Sequence, residues 1–137
     1  MQLLLTCATP FESSLLRAHY GMPLLPNGQV FEHRTAFGSI VLLHAGIGMV
    51  NTAWHLGRFF QNNVPEMALQ FGIAGAFEGG PKVLDIVEVI SETYGELGAE
   101  SPEGFWDLEK MGFSHFEAQQ ETYYNTMKQR RPASGLY

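Results

Sequence analysis

Three times in its first 76 residues the chain runs a short apolar segment straight into a stretch of small or turn-forming residues. Gln2 to Cys7 leads into Thr9-Pro10-Phe11-Glu12, Ser39 to His44 into Ala45-Gly46-Ile47-Gly48, and Met67 to Phe71 into Gly72-Ile73-Ala74-Gly75. Apolar runs of this length, bounded by turn signals, read as buried strands. The first two are followed by residues at helical spacing, so each is a strand, a tight loop and a helix. Strands alternating with helices over short connections predict an α/β fold, a largely parallel sheet covered on its faces by helices.

The helix signals are specific. Thr9 reads as the N-cap, Pro10 falls at the first helical position where a missing N–H costs nothing, and Glu12 falls where a carboxylate closes a capping box. Phe11, Leu15, Leu16 and His19 carry that helix to about Tyr20. Gly21, Pro23, Pro26, Asn27 and Gly28 make a loop, and Gln29 to Arg34 and Ser39 to His44 read as strands around a turn near Gly38. Val50, Ala53, Trp54, Gly57 and Phe60 form the second helix, which Asn62, Asn63 and Pro65 stop. After a turn at Gly79-Gly80-Pro81, Val83 to Ile90 reads as a further strand. From Ser101 onward the pattern weakens to loop, and Glu117 to Arg131 has helical spacing with few apolar positions. The expectation is one domain over residues 1–137, with 114–137 as its tail.

Composition narrows the partners. The 137 residues carry 8 Lys and Arg against 14 Asp and Glu, a formal charge of −6. No basic cluster occurs beyond Lys128, Arg130 and Arg131, so a nucleic-acid partner is not expected. No apolar run approaches the roughly 20 residues that span a bilayer, and the N-terminus lacks the pattern of a signal peptide. A single cysteine, Cys7, forms no internal disulfide, which makes the cytoplasm the expected compartment.

In open α/β sheets the ligand crevice lies beyond the carboxyl ends of the strands, so the three loops are candidates to converge on one pocket. Their glycines admit close approach to a polar ligand, although glycine also serves simple tight turns at such places. Gly46-Ile47-Gly48 is not a dinucleotide fingerprint, since Asn51 stands where the third glycine belongs, and no phosphate-binding P-loop occurs. His19, His33, His44, His55 and His115 lack close metal-ligand spacing, so neither metal nor cofactor is expected. Cys7 reads as a small core residue rather than a nucleophile. Asp85 and Glu88 read as structural. Glu12 has two readings, the capping box with Thr9 and a catalytic carboxylate.

With these loops placed, the chain resembles the nucleoside phosphorylase and nucleosidase superfamily. Ala8-Thr9-Pro10-Phe11-Glu12 looks like the segment that supplies its active-site glutamate, and Ala45-Gly46-Ile47-Gly48-Met49-Val50-Asn51 like its second glycine-containing segment. Phe71-Gly72-Ile73-Ala74-Gly75-Ala76 followed by Leu84-Asp85-Ile86-Val87 looks like the third. Leu97-Gly98-Ala99-Glu100 and Gly104-Phe105-Trp106-Asp107 point within the superfamily toward the futalosine hydrolases. Gly72-Ile73 departs from the Gly-Ser of many nucleosidases and removes a hydroxyl near the substrate.

The resemblance implies a three-layer α/β/α fold acting without a cofactor, as a homodimer, in the cytoplasm. It implies hydrolysis of the N-glycosidic bond of futalosine, with release of hypoxanthine, in menaquinone biosynthesis. Glu12 is then the catalytic residue, and Ala8, Ile47, Ile73, Ala74, Gly75 and Phe105 bind the substrate. Family members continue into a second half with a Met-Glu ribose-binding motif and a Ser-Asp motif whose aspartate protonates the base. Neither motif occurs here, so the chain is expected to be the N-terminal portion of such an enzyme. A methylthioadenosine/S-adenosylhomocysteine nucleosidase, a phosphorylase and an inactive nucleoside-binding fragment are the alternatives. The phosphorylase is disfavoured because Arg17, Arg34 and Arg58 are not placed at the glycine loops.

Overall fold

A computed structural model describes residues 1–118 and 121–128. The chain divides into two compact units, Met1–Ala76 and Phe77–Tyr137. The first unit holds β1 (Gln2–Cys7), α1 (Ser14–Tyr20), β2 (Val30–Thr35), β3 (Gly38–His44), α2 (Met49–Phe60) and β4 (Met67–Gln70). Its four strands form one sheet in the order β2-β3-β1-β4. β1 runs parallel to both β3 and β4, with Cys7 opposite His44 and Thr6 opposite Gln70.

The expected largely parallel sheet is mixed, because β2 pairs antiparallel with β3. Only Ala36 and Phe37 separate these two strands, and so short a link closes a hairpin but cannot make the crossover that parallel strands require.

Alternation along β1 and β3 sends side chains to opposite faces of the sheet. Leu4, Val41 and Leu43 meet Phe59 and Leu56 of α2, while Leu5 and Leu42 meet Met22, with Leu16 and Tyr20 of α1 packed beside them. One helix therefore covers each face of this sheet. Each fully buried leucine contributes about 1.5–3 kcal/mol of transfer free energy, so these two clusters are what hold β1 and β3 in register. Helix α1 begins at Ser14, with Ser13 rather than Thr9 in the N-cap position. Residues 10–13 form a turn in place of the first helical turn read from the sequence.

The second unit contains β5 (Ser91–Thr93), β6 (Gly98–Ser101), β7 (Gly104–Asp107), α3 (Leu108–Met111), β8 (Phe116–Ala118), β9 (Glu121–Tyr123) and β10 (Thr126–Lys128). Its strands pair as three two-stranded ribbons, β5 with β10, β6 with β7 and β8 with β9. Three sequence readings are corrected here. Val83 to Ile90 is not a strand: the Asp85 carboxylate accepts the Lys82 N–H at 2.8 Å and Leu84 takes φ +76°, which turns the chain. The stretch from Ser101 is a hairpin rather than loop, its turn closed by a Ser101 hydroxyl that donates to the Gly104 carbonyl at 2.7 Å. The helix over Glu117 to Arg131 is replaced where described by the end of β8, by β9 and by β10, in which Thr122, Tyr123 and Thr126 favour extended backbone. Its remaining residues, 119, 120 and 129–131, lie outside the described ones.

Asn125 organises this unit. Its Nδ2 donates to the carbonyls of Tyr94 at 2.8 Å and Leu97 at 2.7 Å, and its Oδ1 accepts the Leu108 N–H at 2.8 Å. No helix among the described residues is long and apolar enough to cross a membrane.

Candidate active site

The three loops singled out in the sequence leave β1, β3 and β4 at the same, carboxyl edge of the sheet. The backbone ties them together. The Ala45 N–H donates to the Cys7 carbonyl at 2.8 Å and the Gly46 N–H to the Ala8 carbonyl at 3.0 Å, which joins the first loop to the second. Glu12 joins the first to the third, its Oε1 accepting the Ile73 N–H at 3.3 Å.

The other carboxylate oxygen of Glu12 accepts the Thr9 N–H at 2.7 Å and the Thr9 hydroxyl at 2.9 Å. The reciprocal bond, Glu12 N–H to Thr9 Oγ1, is long at 3.5 Å. The capping pair read from the sequence thus forms, but it shapes the turn ahead of α1 and leaves one oxygen for a loop 61 residues away. Desolvation pushes the Glu12 carboxyl up, and hydrogen bonds from the Thr9 hydroxyl and from the Thr9, Ile73 and Ala8 N–H groups outweigh it, so its pKa lies below the ordinary carboxylate value. Glu12 is a held, ionised carboxylate at neutral pH.

Gly72 leaves room for this approach: a Cβ there would stand 2.7 Å from Glu12 Oε1, so the carboxylate end would have to shift away from the Ile73 N–H. Gly48, at φ +89°, supplies the turn into α2. Around this edge Ile47 and Ile73 are exposed, as are Ala74 and Gly75, and Ala8 is partly buried. Phe105 belongs to the second unit, where it stands on β7 opposite Glu100.

Cys7 is buried, and its thiol donates to the Thr9 carbonyl at 3.2 Å. Burial raises its pKa above the ordinary thiol value, and the Glu12 charge adds to the rise against a lowering contact with Ser13. The thiol is protonated at neutral pH and unsuited to nucleophilic attack. Among the described residues no group of three or more His, Cys, Asp and Glu side chains could hold a metal ion.

Sequence reading missed two buried polar residues beneath this edge, Ser13 and His44. The Ser13 hydroxyl and His44 Nε2 lie 2.8 Å apart. The one signal for them was a histidine ending an apolar strand.

No protein-family model matches the chain, and no solved structure matches it. Among curated proteins, futalosine hydrolase of Thermus thermophilus is 39% identical over 85 residues, which is 62% of this chain and 36% of that protein. The chain thus spans little more than a third of the length of this relative.

Proposed function

We propose that the chain is the N-terminal portion of a nucleosidase of the nucleoside phosphorylase and nucleosidase superfamily, one that hydrolyses the N-glycosidic bond of a purine nucleoside, with futalosine as substrate and hypoxanthine as product. The observation that carries this reading is the ionised Glu12 carboxylate, held at the carboxyl edge of the sheet by both the first and the third glycine-bearing loops. The 39% identity to a futalosine hydrolase over 85 residues supports it.

Cleavage of such a bond passes through an oxocarbenium-like sugar, which a fixed negative charge stabilises and which water attacks. A carboxylate with a lowered pKa is a weak proton acceptor, so its contribution is to orient water and to oppose the developing positive charge. Oε1 is the oxygen we assign to this task, since its protein bond at 3.3 Å is the longer one. Ala8, Ile47, Ile73, Ala74 and Gly75 border the same edge and are assigned to the sugar and base. Phe105, on β7, is assigned to the substrate on the resemblance alone. The residue that protonates the departing base is not assigned among these.

In the same reading residues 1–137 form part of one nucleoside phosphorylase-like domain of three α/β/α layers. It works in the cytoplasm without a cofactor, as a homodimer. Exposed Val50 and Trp54, one turn apart on α2, support the last point.

The test is incubation with futalosine, with and without phosphate, and identification of the products. Free hypoxanthine with a free sugar, independent of phosphate, is expected once the chain is restored to the full length of such an enzyme, and weak or no turnover from residues 1–137 alone. Glu12→Gln keeps the side chain's length and one acceptor oxygen, so turnover should drop on the order of 10² or more while stability changes by less than about 1 kcal/mol. Unchanged turnover with a lower melting temperature would reduce Glu12 to its capping role, and a sugar phosphate as product would make the protein a phosphorylase.

A further inference from the structure

Beneath the turn that carries Glu12 lies a polar chain that the reaction does not consume. Ser13 is fully buried and His44 is 2% exposed. His44 Nδ1 faces the Leu25 carbonyl at 3.2 Å. A carbonyl only accepts, so the proton of a neutral imidazole belongs on Nδ1, and Nε2 presents a lone pair to Ser13. The Ser13 hydroxyl therefore donates to His44 over 2.8 Å, and its oxygen accepts the Arg17 Nε–H at 3.2 Å. The Pro10 carbonyl, 3.2 Å from the same hydroxyl, is supplied by Arg17 Nη2 at 3.1 Å. Every bond in the sequence Arg17, Ser13, His44, Leu25 then has one direction.

We propose that His44 is a positioning residue for Glu12: by holding Ser13 at the end of the 10–13 turn, it fixes the direction in which the neighbouring carboxylate leaves the backbone. The pairing of Cys7 with His44 between β1 and β3 puts the imidazole at the sheet edge just where the chain leaves β1. On its solvent side the turn is held by the Ser14 N–H to the Phe11 carbonyl at 3.1 Å and by the ties of Glu12 to Thr9 and Ile73, and from α1 by Arg17, whose backbone N–H donates to the Ser13 carbonyl at 2.8 Å and whose Nη2 donates to the Pro10 carbonyl at 3.1 Å. The hydroxyl is the tie that joins this turn to β3, since the Arg17 bonds hold it only to α1; with it gone, residues 11–13 are free to shift with α1 against the sheet, and Glu12 loses its aim at Ile73. This role rests on the reading of Glu12 as the working carboxylate.

The test follows the titration of Glu12 by carbon NMR of protein labelled in its glutamate carboxyls, beside nucleosidase turnover. Ser13→Ala and His44→Asn both remove the link, since an asparagine reaches the Leu25 carbonyl but not Ser13. His44→Gln places an amide oxygen near the site of Nε2 and restores it. In the first two the Glu12 titration should rise toward the ordinary value of about 4.3, and kcat should fall on the order of tenfold or more with KM little changed. His44→Gln should recover both. An unmoved Glu12 titration in folded Ser13→Ala overturns the proposal, as does a His44→Gln that behaves like His44→Asn. The unmodified protein supplies a check that needs no variant: nitrogen NMR of the imidazole should show the proton on Nδ1, and a neutral ring with it on Nε2 refutes the scheme. A Glu12 titration that moves as expected, in a protein with no turnover of futalosine in any form, supports the positioning role and rejects the proposed reaction.

Discussion

The two units of the molecule use different means to stay ordered. In Met1–Ala76 every strand joins one sheet, and buried leucines on both faces of β1 and β3 hold it. In Phe77–Tyr137 strands pair only two by two, and the buried residue among those described is a polar one, Asn125. A hydrophobic cluster tolerates small displacements because its attraction has no direction. An amide that holds three backbone groups fails as soon as its geometry is lost. The first unit is thus a scaffold stiff enough to aim a carboxylate, and the second depends on local turns and one side chain.

The sharpest way to break this contrast is in the first unit. Leu43→Ala empties a fully buried site and should lower stability by about 2–5 kcal/mol in urea titration. Ile86→Ala, at a side chain 99% exposed in the second unit, should change it by less than about 0.5 kcal/mol. Equal losses would mean that the second unit has an apolar core of its own.

Asn125→Ala comes next. It strips partners from the Tyr94 and Leu97 carbonyls and the Leu108 N–H, so the second unit should lose about 1–3 kcal/mol. Hydrogen exchange should quicken at Leu108 and along β5, while amides of β1 and β3 keep their protection. Faster exchange in β1 as well would show that the two units unfold together.

A smaller effect concerns Cys7. Its raised pKa and burial predict slow alkylation in the native protein at about pH 8 and fast alkylation in urea, and native reactivity equal to that of a free thiol would contradict the burial of β1. The smallest effect is on acid stability. Glu12 has a pKa below its unfolded value, so its contribution is complete above the unfolded value and disappears as pH falls through the folded one. Melting curves of the native protein and Glu12→Gln should therefore converge in that acidic window and separate at neutral pH.

Much of the first unit was legible because its signals are local. The apolar run Gln2–Cys7 is the strand in full, Gly48 precedes α2, and the Thr9 and Glu12 pair forms the bonds its spacing implies. The second unit misled for the same reason. Val83 to Ile90 has the apolar content of a strand, but a single Asp85 side chain and a left-handed Leu84 decide its path. The partnership of Ser13 with His44 spans 31 residues, and it exists only through the parallel register of β1 and β3, which no local pattern encodes. The same applies to Glu12 and Ile73, whose loops were expected to meet but whose hydrogen bond no local pattern encodes.

That register has a consequence for which changes of length the chain can absorb. Side chains alternate faces with a period of two, so one residue inserted between Ser39 and Leu43 would swing His44 through the sheet to the side of α2. Ser13 would be left without its acceptor even though no residue near Glu12 had changed. One residue inserted at Ala36 or Phe37 would lengthen a hairpin tip and leave β3 in phase with β1. Among descendants of this sequence, gaps should therefore accumulate at the tip of that hairpin and be absent from the strand that follows it.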